Sequence, residues 1–208
     1  MLYLYTMKQH ILKVVAFSFL LSFFSFKNEP SFFEKLVIAA IHQTTLQVKY
    51  VADYVQIKYP NGDVPANTGV CTDLVIRAYR DLGIDLQKEV HEDMAKHFSN
   101  YPKLWKLKQP DSNIDHRRVP NLMVYFKNKK SELPVTDKAE DYKPGDMVTW
   151  NLQNKNAVSG ITHIGIITNQ RSYNGERYLV AHNIGNGNVL EDMLFEYTII
   201  GHYRFKGQ

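Results

Sequence analysis

Apolar side chains recur along this chain in two different periods, and the change of period divides it. Between residues 71 and 82, Leu74, Val75, Ala78, Tyr79 and Leu82 fall at helical intervals, which predicts a helix with one apolar face. Gly83 follows as the residue that ends it, and Thr68 precedes it as an N-cap candidate. Upstream, Ser31-Phe32-Phe33-Glu34 has the form of a capping box opening a helix through about Thr45. Its stripe is Phe33, Leu36, Val37, Ala40 and Ile41. Later the pattern changes to short runs of β-formers: His163-Ile164-Gly165-Ile166-Ile167-Thr168 and Tyr178-Leu179-Val180-Ala181-His182-Asn183-Ile184. The polar stretch 169–177, with its Asn-Gly pair, reads as a hairpin connection between them. Helices first and strands afterwards predict an α+β fold, the helical amino-terminal half packed on a small antiparallel sheet.

The amino terminus belongs to neither pattern. Lys8, His10 and Lys13 precede the apolar stretch 14–26, which is as long as the apolar part of an export signal and shorter than the ~20 residues that span a bilayer. Residues 1–26 are therefore read as a signal peptide or amino-terminal anchor, and 31–208 as a single domain in a periplasmic or secreted bacterial protein. Membrane contact is expected only through the first segment, if it is left uncleaved. The apolar fraction of 44% and charged fraction of 22% suit one globular core. The net charge of +4 falls by two when Lys8 and Lys13 leave with the leader. No basic stripe interleaved with aromatics is present, so nothing supports nucleic acid binding. The basic run 127–130 reads as solvated surface.

Against an exported context, one residue carries weight. Cys71 is the only cysteine in 208 residues, and an unpaired thiol is a liability in an oxidising compartment. It lies in the first turn of the predicted helix, where unpaired N–H groups and the helix dipole favour the thiolate. Asp73, in the same turn, opposes a second negative charge and is expected to point away or to cap the loop. A nucleophile needs a base, and His163 and His182 stand on the two strand-like runs. In a hairpin symmetric about Ser172 and Tyr173 they lie directly opposite each other on one face.

These residues resemble a known group. A helix-initial Cys, a Gly-Asp turn entering a strand (Pro144-Gly145-Asp146-Met147-Val148-Thr149-Trp150), a His-Ile-Gly-Ile strand and a polar residue on the next strand resemble the NlpC-type papain-like peptidases, which cleave bacterial cell-wall peptides. Gly62-Asp63-Val64-Pro65, Gly69-Val70-Cys71-Thr72-Asp73, Val90-His91-Glu92-Asp93-Met94, Asn113-Ile114-Asp115-His116-Arg117-Arg118, His182-Asn183-Ile184-Gly185 and Gly201-His202-Tyr203-Arg204 resemble, more narrowly, the bacterial family catalogued as domain of unknown function 1287. The resemblance implies a papain-like (NlpC-type) fold with Cys71 as nucleophile, His163 as base and His182 as the residue that orients the imidazole. It also carries a departure. Wall peptidases of this type commonly have Asp before the cysteine, where this chain has Val70.

Specificity is then left to the insert, about residues 84–142. Its cluster Asp115-His116-Arg117-Arg118 places two arginines side by side, suited to gripping carboxylates of a stem peptide, or else forms a surface loop anchored by Asp115. Asp73 and Asn183 join Asp115, His116, Arg117 and Arg118 as candidate substrate-binding residues. His91-Glu92-Asp93 begins like a zinc motif, but the second histidine is missing and position 95 is Ala95, so no metal or other cofactor is expected. The expected function is a cysteine hydrolase or amidase acting through an acyl-enzyme on peptidoglycan stem peptides. A cysteine acyltransferase or thioesterase, and a non-catalytic wall-binding module, are the alternatives.

Overall fold

The computed structural model describes residues 29–207. The leader expected over residues 1–26 lies outside the described residues. The chain divides into Met1–Pro30 and Ser31–Gln208, and the helices and strands of the described residues all belong to the second unit. Among the described residues no helix is long and apolar enough to cross a membrane.

Four helices come first: α1 (Phe32–Thr44), α2 (Cys71–Asp81), α3 (Leu86–His97) and α4 (Val119–Asn128). The Ser31 hydroxyl and the Glu34 carboxylate cap α1 reciprocally. Leu36, Val37 and Ala40 of its expected stripe are buried, while Phe33 and Ile41 lie half-buried at its edges. Helix α2 ends at Leu82, and Gly83 follows at φ 82°. Two short strands, β1 (Lys49–Tyr50) and β2 (Thr68–Gly69), pair in parallel before α2.

A six-stranded antiparallel sheet follows, in the order β3-β8-β4-β5-β6-β7. Its strands are β3 (Glu132–Leu133), β4 (Met147–Asn151), β5 (Thr162–Arg171), β6 (Tyr178–Asn183), β7 (Asn188–Glu191) and β8 (Thr198–Tyr203). One face carries Met147, Ile164, Ile166, Ala181 and Tyr203 into a core with Leu36, Leu74, Tyr79, Leu122 and Phe126 of the helices. The opposite face holds a smaller cluster, Tyr142, Val148, Trp150, Ile167, Val180, Met193 and Leu194. Burial on both faces is why the central strands read as continuous apolar runs rather than as alternating ones. The Gly-Asp turn before β4 docks on α1. Gly145 has φ 88°, and a Cβ there would sit 2.8 Å from Phe33 Cβ, so both conformation and space require glycine. Asp146 beside it is fully buried between His202 and Arg204, which locks β4 to β8.

Candidate active site

The start of α2 faces a cleft of about 380 Å³ lined by Cys71, Tyr50, Trp105, Arg117, Arg118 and Thr162, among others. Val70 is the N-cap and offers no side-chain bond, so Asp73 reaches back to accept the Val70 N–H at 2.7 Å. Thr68, the expected cap, lies too far upstream and donates its hydroxyl to the Pro65 carbonyl. The Asp73 carboxylate is closed off by Arg117, whose Nε and Nη2 donate to it at 2.9 and 3.0 Å. Arg117 also donates to the carbonyls of Asp53 and Val51. Asp73 and Arg117, expected to bind substrate, are therefore matched to each other. A buried carboxylate at a helix start demands such a partner.

The Cys71 sulfur lies at the backbone N–H of Ile164, the residue after His163 in β5. That N–H and those of Thr72 and Cys71 favour the thiolate, but burial outweighs them and, with Asp73 nearby, pushes the thiol up to about 12. The resting group is a thiol, not the thiolate expected from the helix start alone. Dipole and N–H groups act on a sulfur that is only 5% exposed, and desolvation wins.

The hairpin register differs from the symmetric one. Ile166 pairs with Ala181 and Ile167 with Val180, and the ladder shifts before Arg171 meets Tyr178. Continued toward the start of β5, this register sets His182 across from Gly165 rather than His163. The slip is even and the pleat repeats every second residue, so both histidines keep one face. They meet diagonally: His163 Nε2 and His182 Nδ1 are 3.0 Å apart. Gly165 makes room for this, since a Cβ there would lie 3.1 Å from the His182 Cβ and 2.6 Å from Val180 Cγ1. Trp150, the cross-strand partner of His163, covers its ring at 5.8 Å.

On the far side, His182 Nε2 lies 3.2 Å from the Glu191 carboxylate, off the line of a hydrogen bond. The negative charge still favours the proton on Nε2 of His182. Its Nδ1 then accepts from His163 Nε2–H, and Nδ1 of His163 is left with a lone pair. Among the described residues that nitrogen has no hydrogen-bond partner, and the sulfur makes no hydrogen bond to the ring. Burial, and the His182 charge next to it, hold the His163 imidazole down at about 3, so it rests as the neutral base. Glu191 was not anticipated from the sequence. The Gly185-Asn186-Gly187 turn could have found it, because a tight hairpin there pairs His182 with Val189 and puts Glu191 diagonal to His182 on the same face.

The remaining predicted residues separate. Asn183 is buried at the end of β6, donating to Asn188 and accepting the Gly185 N–H, so it closes the β6–β7 turn instead of meeting substrate. Asp115 is fully buried, accepting the Asp111 N–H at 2.7 Å and facing His91 at 3.2 Å. His116 is buried behind the cleft, its pKa lowered to about 3 by burial and by the Arg117 charge. None of the three lines the cleft. Arg118 alone of the cluster remains available: it lines the cleft, lies 4.1 Å over the Trp105 ring, and leaves its buried Nη1 without a partner.

Residues 37–205 match the model of the family described as Domain of unknown function (DUF1287). The chain belongs to this family. The matched stretch contains Cys71, His163, His182, Glu191 and Arg118, so the whole site lies within the DUF1287 domain. The chain is also similar to the "Uncharacterized protein YijF" of Escherichia coli (strain K12), 51% identical over 156 residues, which cover 75% of this chain and 73% of that protein. Among solved structures it is similar to NlpC1 and NlpC2 from Trichomonas vaginalis, at TM-scores of 0.45 and 0.42 and identities of 15% and 16%. Each likeness covers 86% of this chain, which spans less than half the length of either structure, 46% and 48%.

Proposed function

We propose that this chain is a papain-like cysteine hydrolase that opens amide bonds through an acyl-enzyme, and that its substrate is a peptidoglycan stem peptide met in the periplasm. The observation that carries the reading is the buried imidazole pair, His163 Nε2 3.0 Å from His182 Nδ1, on the strand whose Ile164 N–H favours the thiolate of helix-initial Cys71. With thiol and imidazole both neutral at rest, proton transfer accompanies attack. His163 Nδ1 takes the thiol proton as the sulfur bonds to the carbonyl carbon. The N–H groups of Cys71 and Thr72, which have no carbonyl partner at the start of α2, receive the oxyanion. The C–N bond then breaks, and the imidazolium returns the proton to the leaving amine. Water, deprotonated by the same nitrogen, releases the acid and restores the thiol.

Digestion of purified sacculi by the protein, with mass spectrometry of the released fragments, tests this reading. Peptide fragments that appear with the wild type and not with Cys71→Ser support it. Intact sacculi, or identical fragments from both proteins, would overturn it.

A further inference from the structure

We infer that the cleft takes an acyl substrate bearing a free carboxylate, held by Arg118 against Trp105, and that it has no place for a free amine. The inference rests on the proposed hydrolase activity and adds the chemistry that selects the substrate.

The charge around the cleft leads there. Among the described residues its lining contains two arginines and no Asp or Glu. Of the nearby carboxylates, Asp73 is matched by Arg117, Asp111 by Asn113 and Tyr54, and one oxygen of Asp115 by the Asp111 N–H and His91, while Asp53 is exposed beside the lining residues Ala52 and Tyr54. Within the lining itself an incoming ammonium group finds no anion, and meets a cation instead. Arg117 is a poor anchor, because its side chain is buried and four of its five donors are taken by Asp73 and by the Asp53 and Val51 carbonyls. Arg118 is the opposite case, its guanidinium laid on Trp105 with the buried Nη1 unpartnered. A buried donor left unmatched costs free energy that a ligand acceptor can recover. A guanidinium held over the indole is also suited to the two-point grip that a carboxylate accepts. Arg118 caps α4, so the positive end of that helix opens on the cleft, as the start of α2 does at Cys71. Val70 stands where an acid would have been needed to hold an amine.

Alkylation of Cys71 provides a test that does not depend on turnover. Iodoacetate and iodoacetamide deliver the same carbon to the sulfur and differ in charge, so the ratio of their rates reports the anion preference of the cleft. At pH 8.5 to 9 that ratio should fall about fivefold or more in Arg118→Gln and be largely kept in Arg118→Lys. Melting curves of both variants show whether they are folded. An unchanged ratio in a folded Arg118→Gln overturns the inference. In a second arm, a disaccharide tetrapeptide from the wall is added as protectant against iodoacetamide, with its carboxylates free or amidated. Protection by the free acid in the wild type and its loss in Arg118→Gln support the inference, and equal protection by the amide overturns it. If neither form protects while the reagent ratio still depends on Arg118, the anion site stands and the wall peptide is refuted as its ligand. A sulfur that neither reagent reaches overturns both readings.

Discussion

The loop around Asp63 and the segment around Arg118 are built from the same kinds of side chain and differ in how far their polar groups are matched. At the first, Asp63 accepts from Arg77 and Arg80, and Arg77 also reaches the carbonyls of Val64, Pro65 and Thr68. Gln87 spends both ends of its amide, accepting from Gly62 and donating to Lys58 and Ser112. At the second, Asp115 Oδ1, His116 Nδ1, Arg118 Nη1 and Asn121 Oδ1 are four of the seven buried side-chain atoms that lack a partner among the described residues. Unmatched polar groups are rare in folded proteins, and of these four residues only Arg118 lines the cleft. The first region, where among the described residues only Arg80 Nε is left without a partner, is scaffold. In the second, Arg118 is the residue proposed to meet a ligand.

The sharpest way to break this contrast is at the sulfur. Cys71→Ser should abolish turnover on sacculi while shifting the melting temperature by no more than about two degrees, since it exchanges two small side chains. His163→Ala should be nearly as severe in turnover. His182→Asn should be milder, because an amide oxygen can still accept from His163 Nε2–H. Equal loss of folding in all three variants would make these residues part of the scaffold.

Neighbouring arginines give the next largest effect. Arg117→Ala strands the buried Asp73 carboxylate and should cost about 3 to 5 kcal/mol in urea unfolding, whereas Arg118→Gln should stay within about 0.5 kcal/mol. Similar losses in the two variants would erase the distinction between matched and unmatched sides.

Acid unfolding sharpens it differently. His163 and His116 are held at about 3 in the folded protein against 6.5 for an exposed imidazole, and His182 is also lowered by burial. The unfolded chain takes up protons in that window and the folded chain does not. Their contribution is thus complete above about pH 6.5 and is lost as the pH falls toward 3, by at most about 1.4 kcal/mol per pH unit for each histidine. Asp115, whose carboxyl burial pushes up, works in the opposite sense just above the ordinary carboxylate range. Urea midpoints measured from pH 7 down to 4 should decline steadily. A flat profile would mean that these rings are not buried as neutral bases.

Gly165→Ala should cost about 1 to 3 kcal/mol and reduce turnover more than stability alone explains, because the new methyl group presses on Val180 and on His182. The smallest effect is expected at Glu191→Gln. Its carboxylate is half exposed, so removing the charge should lower turnover only a few-fold, read from initial rates on sacculus fragments.

Much of the architecture was legible in the chain itself. The capping box placed α1 to within a residue, because its two hydrogen bonds are made between residues three apart. The apolar stripe and Gly83 bounded α2 for the same reason. The strands of the second half came from runs of β-formers, and so did the α+β class. Cys71 stood out by count alone, and the two histidines by lying on adjoining strands.

What the sequence could not decide depends on contacts between segments distant along the chain. Arg117 and Arg118 are neighbours of one type, yet one turns toward Asp73, 44 residues earlier, and the other toward Trp105. Asp73 and Asn183 looked available for substrate and are consumed by Arg117 and Asn188. The bulge in the β5–β6 hairpin moved His182 opposite Gly165, and only the two-residue period of the pleat kept it beside His163. Local periodicity sets which face of an element is apolar, since it needs only neighbouring residues. Whether a polar group on that element is satisfied or left open is settled by what the fold brings against it, and on this chain that difference separates the scaffold from the site.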